Sequence, residues 1–568
     1  MVSQITFVSL NARINEVFSL RKIDQMKKLL LILVLAVMCS SFARAGYFNR
    51  VLDVTQKGDY ATALNLLFPP FATSNDGVEA ANKGDYKSAI KIWRALAEQG
   101  DDDAQYNLGL IWGKVEYYEE AVKWLLLAAE QGHEGAQNNL GLMYIRGKGV
   151  TQDYEKSAKW FRLAAEQGNV NAQWYLGNMQ RDGVGVIQDY KEAVSWFRKA
   201  AEQGHADAQW SLGAMYLDGR GVTQDPDESV KWYRLAAEQG NADAQWSLGS
   251  MYSTGIGVIK DFKKSVDWYR LAAEQGYAKA QFELAQMYRE GKGVTQHYKE
   301  AIKWYRLAAE QGYAEAQNDL AHMYMGRGGD YKEAAKWYRL AAEQGNADAQ
   351  SSLGSMYKNG YGVTQNSKDA EKWYRLAAEQ GDVHSQYRLA QMYRRGDGIA
   401  QDFKESAKWY RKAAEQGNMR AQANLGTMYG NGLGVTQDDK EAEKWFRFAA
   451  EQGHSEAQYN LGVIYEKGQG VLQDYEESVK WYRKAARKGF ANAESNLGVM
   501  YANGKGVTRN YVQAYMWIKL ALRHLVGNGK KTSSKYLELV AKRMTSSQIF
   551  RAQNMARDCL KTWYKSCN

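Results

Sequence analysis

"WYRLAAEQGNADAQWSLGSMY" runs from Trp232 to Tyr252, and with small edits it returns as "WYRLAAEQGYAKAQFELAQMY" from Trp268 to Tyr288. The glycine after Glu-Gln acts as a ruler for this phrase. It stands at 100, 132, 168, 204, 240, 276, 312, 345, 381, 417 and 453, and Gly489 continues the register after Arg487-Lys488. Most steps are 36 residues, with one of 32 and one of 33. A period of this length, sustained along a chain, marks a solenoid of stacked supersecondary units rather than a set of globular domains.

One period, 241–276, reads as two helices. Ala244, Leu248, Met251 and Tyr252 are spaced i, i+4, i+7 and i+8 and form one apolar stripe. "GIGV" at 255–258 breaks the helix, because glycine reaches positive φ without a Cβ penalty. The second helix offers Val266, Tyr269, Ala272 and Ala273, with Trp268 widening the arc, and Gly276 closes it. Gly249 is expected to make room for a neighbouring backbone. Asp189 with Glu192, Asp402 with Glu405, Asp474 with Glu477 and Thr545 with Gln548 have the spacing of reciprocal capping boxes. Thirteen tryptophans, from Trp93 to Trp517, share one position in the second helix. A ligand site would not need thirteen copies, so they are expected in the core.

The pattern AxAQxxLGxMYxxGxGVxxDxxxAxxWYxxAAEQG resembles the Sel-one-like repeat (SLR) family, relatives of the tetratricopeptide repeat, over roughly 76–525. The resemblance implies an all-α, right-handed α/α superhelical solenoid of about twelve two-helix repeats, with first helices on the concave side. It also implies a scaffold or adaptor, and many bacterial members are exported. Some departures are local: 101–132 lacks the Gly-x-Gly-Val loop, 313–345 shortens it, and Gln180 replaces the usual Tyr. Cysteine-rich relatives staple each unit with a disulfide and are described as binding penicillin. This chain lacks those cysteines, so a hydrolase of that type is the least favoured reading.

The two ends differ from the array. Met26, Lys27-Lys28, the apolar run Leu29 to Met38 and Ala43-Arg44-Ala45 have the form of a cleaved export signal at about 26–45. The apolar run is too short for an integral membrane span, and Met38 before Cys39 argues against lipid attachment. A periplasmic or secreted protein follows. The expected division is 1–45 upstream extension and signal, 46–100 N-terminal cap helices (one at about 49–67, ended by Pro69-Pro70), 101–525 solenoid, and 526–568 basic C-terminal helical cap. A disulfide between Cys559 and Cys567 suits an exported protein; two unbonded thiols are the other reading.

Charge narrows the function. The whole chain carries +10, of which residues 1–45 hold +4 and 514–568 hold +9, leaving the long body near −3. That body has no basic stripe for nucleic acid. The tail's charge reads as a solvated lid with a polar outer face, or as an anchor to an acidic surface.

Function is expected in the edits. The residue after Gln in each first helix is Tyr106, Asn138, Trp174, Trp210, Trp246, Phe282, Asn318, Ser351, Tyr387, Ala423, Tyr459 or Ser495. It lies about 200° round from the packing stripe. Tyr106, Trp174, Trp210, Trp246, Phe282, Tyr387 and Tyr459 are therefore candidates for lining a partner-binding groove; filler between repeats is the competing reading. A protein or peptide is the expected partner, with a cell-wall glycan as the alternative. No cofactor, metal or catalytic residue is expected: the seven histidines lack ligand spacing, and His133, His205 and His454 share a turn position.

Overall fold

The computed structural model describes residues 73–326, 329–562 and 564, and these contain helices and turns but no strand. The expected export signal, the 49–67 helix and Cys567 lie outside the described residues. Helices pair as hairpins: Ser74–Asn82 with Tyr86–Ala97, then twelve repeats from Asp102–Lys114 with Tyr118–Glu130 to Ala491–Asn503 with Tyr511–Ala521, and finally Gly527–Ala541 with Ser546–Lys561. The chain divides at Gln203/Gly204 into two compact units. Within each, a hairpin packs on the one before and the one after, which is the logic of an α/α solenoid.

The predicted stripes are buried. Ala244, Leu248, Met251, Tyr252, Val266, Tyr269, Ala272 and Ala273 are all less than 9% exposed. Core compartments sit at the joints: Val230, Tyr233, Ala236 and Ala237 of Pro226–Glu238 close on Ala244, Leu248 and Met251 of Ala242–Thr254. The shared tryptophans reach backwards. Trp268 packs on that preceding compartment and Trp304 on the one after it. Eight of the thirteen are buried; Trp124, Trp160, Trp232, Trp268 and Trp304 are half-buried.

Gly249 corrects one expectation. A Cβ there would lie 2.5 Å from the Tyr269 ring, so the space serves the second helix's own aromatic side chain, not a neighbouring backbone. The loop glycines have separate tasks. Gly255 (φ +85°) ends the first helix in the left-handed region, whereas a Cβ on Gly257 would meet the Pro226 carbonyl oxygen of the preceding hairpin at 2.4 Å.

The caps are partly as expected. Asp189, Asp402 and Asp474 accept backbone N–H groups, and Thr545 with Gln548 forms the reciprocal box. The glutamates do not close theirs. Glu405 instead accepts from the Trp409 indole at 3.1 Å and Glu192 from that of Trp196 at 3.3 Å, which gives those two buried N–H groups a partner. At the C-terminal end, Ala552, Ala556 and Cys559 are buried. Cys559 is disulfide-bonded, and its expected pairing with Cys567 falls outside the described residues. The lid's outer face is not wholly polar, since Leu539 and Phe550 are exposed.

Candidate binding surface on the first helices

Six of the seven candidate aromatics sit at the joints. Trp210 packs on the compartment formed by its own second helix and the next first helix, and its indole donates to Ser247 Oγ at 3.2 Å. Trp246 packs on the next compartment, with Tyr277 at 6.3 Å and the Lys279 ammonium 5.3 Å from its ring. Phe282 meets Tyr305 and Tyr313, Tyr459 meets Tyr482 and Phe490, and Tyr106 stacks on His133 at 4.3 Å. Trp174 lies against Tyr175 at 4.8 Å. Tyr387 is buried and the other six are half-buried. Asn138, Asn318, Ser351 and Ala423 are buried at the same position.

A second set of residues, which the sequence reading passed over, ties the repeats together. Gln245 is 4% exposed; its Nε2 donates to the Ala237 carbonyl of the preceding hairpin at 3.1 Å. Its Oε1 accepts from Gln275 at 2.7 Å. Gln281 repeats this with Ala273 and Gln311, and Gln422 with Ala414 and Gln452. The Gln of "AQ" and the Gln of "EQG" thus form a ladder that satisfies the last carbonyls of each second helix. Arg and Tyr form another link: Arg270 donates to the Tyr288 hydroxyl of the following repeat at 3.1 Å. Where Gln180 replaces that Tyr, it bonds Glu192, which also pairs with Arg162.

The ladder stops near the end of the array. Lys488 stands where Gln would donate to Gln458, and its Nζ bonds the Gly453 carbonyl instead. Glu494 replaces the next Gln and is fully buried. Burial pushes its carboxyl pKa up to about 7, with the Tyr564 hydroxyl and Arg523 pulling the other way.

The histidines have local work. His133, His205 and His454 are N-caps whose Nδ1 accepts a backbone N–H from Ala136, Ala208 and Ala457. Among the described residues, no three His, Cys, Asp or Glu side chains gather as a metal-ion ligand set, and no helix is long and apolar enough to cross a membrane.

This is a repeat protein of two-helix units whose joints are fixed by a shared set of Trp, Gln, Arg and Tyr side chains. The Sel1 repeat pattern matches twelve consecutive segments from 102–133 to 491–524, and the chain belongs to the Sel1 repeat family. It is 39% identical to c5321, a protective antigen of uropathogenic Escherichia coli with an SLR fold. That crystal structure superposes with a TM-score of 0.65 over 78% of this chain and 96% of the other. A Sel1 repeat protein from Oxalobacter formigenes is 36% identical over 43% of this chain and 99% of its own, with a TM-score of 0.39. No curated protein matches the chain.

Proposed function

We propose that the protein is a non-catalytic scaffold that holds a peptide or partner protein on the face formed by its first helices. One observation carries this reading. Most repeats keep the Gln, Arg and Tyr of the joints, while a first-helix position beside them changes chemistry from unit to unit. The position two residues before "AQ" Gln is Asp243, Lys279, Glu315, Asp348, His384, Arg420 and Glu456 in seven successive repeats. Packing alone would not require such turnover, whereas a surface matched to one partner would.

The glycan alternative is less well supported, because stacking on a sugar needs broad open ring faces and the candidate rings are buried or half-buried. Export remains part of the proposal. It rests on the signal at about 26–45, and a protective antigen among its relatives is in keeping with it. The test uses residues 46–568 as bait in an envelope extract, followed by titration of each retained protein. A stoichiometric protein complex supports the scaffold. Retention only on purified cell-wall sugar replaces it with the glycan reading, and turnover of any substrate overturns the non-catalytic part. Whether the leader is removed is read by N-terminal sequencing of the protein from cell fractions.

A further inference from the structure

We propose that the joint between the first helices Val383–Arg395 and Met419–Asn431 is a recognition pocket for an acidic peptide segment, with a carboxylate held by Arg388 and Arg420. This deepens the scaffold reading and rests on it. A cavity of about 280 Å³ opens there, lined by His384, Tyr387, Arg388, Asn418, Met419 and Arg420. Three of the six lining side chains are cationic or can become so, and none is acidic.

The local charge is opposite to that at several other joints. Asp103, Asp207 and Asp243 occupy the position of His384 and Arg420, and each bonds the cap residue of the next repeat: His133, Asn241 and Tyr277 respectively. At this joint the acids are gone. Two other first-helix cations are neutralised, Arg289 by Asp319 and Lys358 by Asp397. Arg388 meets only His384 Nε2 at 3.3 Å and Gln391 at 3.4 Å, and among the described residues neither it nor Arg420 makes an ion pair. Two exposed guanidiniums without a carboxylate, in a body of net negative charge, are poised for an incoming one.

The pocket favours peptide over sugar. Its aromatic ring, Tyr387, is only 8% exposed, and its hydroxyl is engaged by Gln391 at 2.8 Å, so no ring face is open for stacking. Half-buried Met419 offers a short apolar wall beside the cations. That combination suits a Glu or Asp flanked by an apolar residue. Partial burial and Arg388 lower the pKa of His384, with Asp382 opposing them.

The experiment uses the full chain and fluorescein-labelled octaglutamate read by anisotropy, with octaglutamine, inorganic phosphate and a hyaluronate octasaccharide as separate arms. The basic tail also attracts octaglutamate, so the reading is the difference made by Arg388→Glu/Arg420→Glu. Affinity is expected to fall at least about ten-fold at 150 mM salt with an unmoved melting temperature; Arg388→Gln/Arg420→Gln serves if the reversal impairs folding. Equal affinity of variant and wild type overturns the pocket. So does stronger variant-sensitive binding of hyaluronate, or competition by phosphate equal to that of unlabelled octaglutamate. A partner protein retained equally by the variant sinks this site and leaves the scaffold standing. Failure of the wild type to hold any partner sinks the scaffold whatever octaglutamate does.

Discussion

Gln275 Nε2 lies 2.7 Å from Gln245 Oε1, and Gln245 in turn donates to the Ala237 carbonyl one hairpin back. Two amides thirty residues apart thus complete the hydrogen bonding of a helix end that belongs to neither. Gln245→Met strands the buried Ala237 carbonyl and removes the acceptor of the exposed Gln275 amide. It is expected to cost about 1–3 kcal/mol. Gln275→Met strands only the Gln245 oxygen, and the double variant should lose less than the sum. Urea unfolding of the three proteins measures the coupling, and strict additivity would count against the ladder.

Glycine substitutions separate backbone strain from close approach. Gly276 (φ +90°) has open space where a Cβ would stand, so Gly276→Ala should cost about 1–2 kcal/mol from its left-handed backbone alone. Gly257→Ala has the same strain and also presses the Pro226 carbonyl, so it should lose more. The reverse order of melting temperatures would contradict the loop geometry.

The aromatic position gives a stability test. Because Trp210 and Trp246 fill joints, Trp210→Ser/Trp246→Ser should lower or split the thermal transition. Each site should lose up to about 3–5 kcal/mol, the upper range for a buried Trp. Calorimetry reads the outcome. An unchanged melt with weakened partner binding would return these rings to the groove.

The histidine caps predict sensitivity to acid. Burial lowers the pKa of His205 and His454 below the ordinary imidazole value. For His454, Arg420 and Lys488 lower it further and Glu456 opposes them; for His205, Asp207 opposes. A depressed pKa means that the folded state binds fewer protons, so this stability is present above about pH 6.5 and is lost as pH falls through the folded values. His205→Asn/His454→Asn keeps an acceptor cap of the kind seen at Asn241 and should flatten the melting temperature between pH 7 and 5. An equally steep decline in the variant would assign the acid sensitivity elsewhere.

Glu494 predicts the opposite slope at the C-terminal lid. Its carboxyl is raised to about 7, so the stability it contributes is full below the unfolded value near 4.5 and is lost as pH rises to 7. Glu494→Gln removes the ionisation and restores the residue used at the other eleven repeats. It is expected to stabilise the protein by about 1–3 kcal/mol at pH 8 and to have little effect at pH 4.5. Destabilisation at pH 8 would show that the acid has a partner it needs.

Apolar periodicity made Leu248, Val266 and Tyr269 legible before any coordinates, because a helix repeats every 3.6 residues and its buried stripe can be counted. Glycine positions were legible as breaks, though not in what they face: the ring of Tyr269 occupies space that a list of residues does not display. The glutamines were missed for another reason. Amides are ordinarily found in water, and only the pairing of buried Gln245 with Gln275 across thirty residues reveals their role at the joint. His384, Arg388 and Arg420 belong to two different repeats, and their convergence needed the helices side by side. A running charge for each first-helix position would have flagged them.

The sameness of the joints also bears on heredity. Gln311 meets Gln281 as Gln275 meets Gln245, so excising residues 241–276 leaves Gln239 and Gln281 facing a seam with the fittings each already had. Unequal crossing-over between near-identical gene segments can therefore add or drop whole repeats while the protein still closes on itself. A segment bearing a useful face can be copied or moved as a cassette. Lys488 and Glu494 are the exception: their segment fits one place, which keeps such shuffling inside the array and the lid at its end.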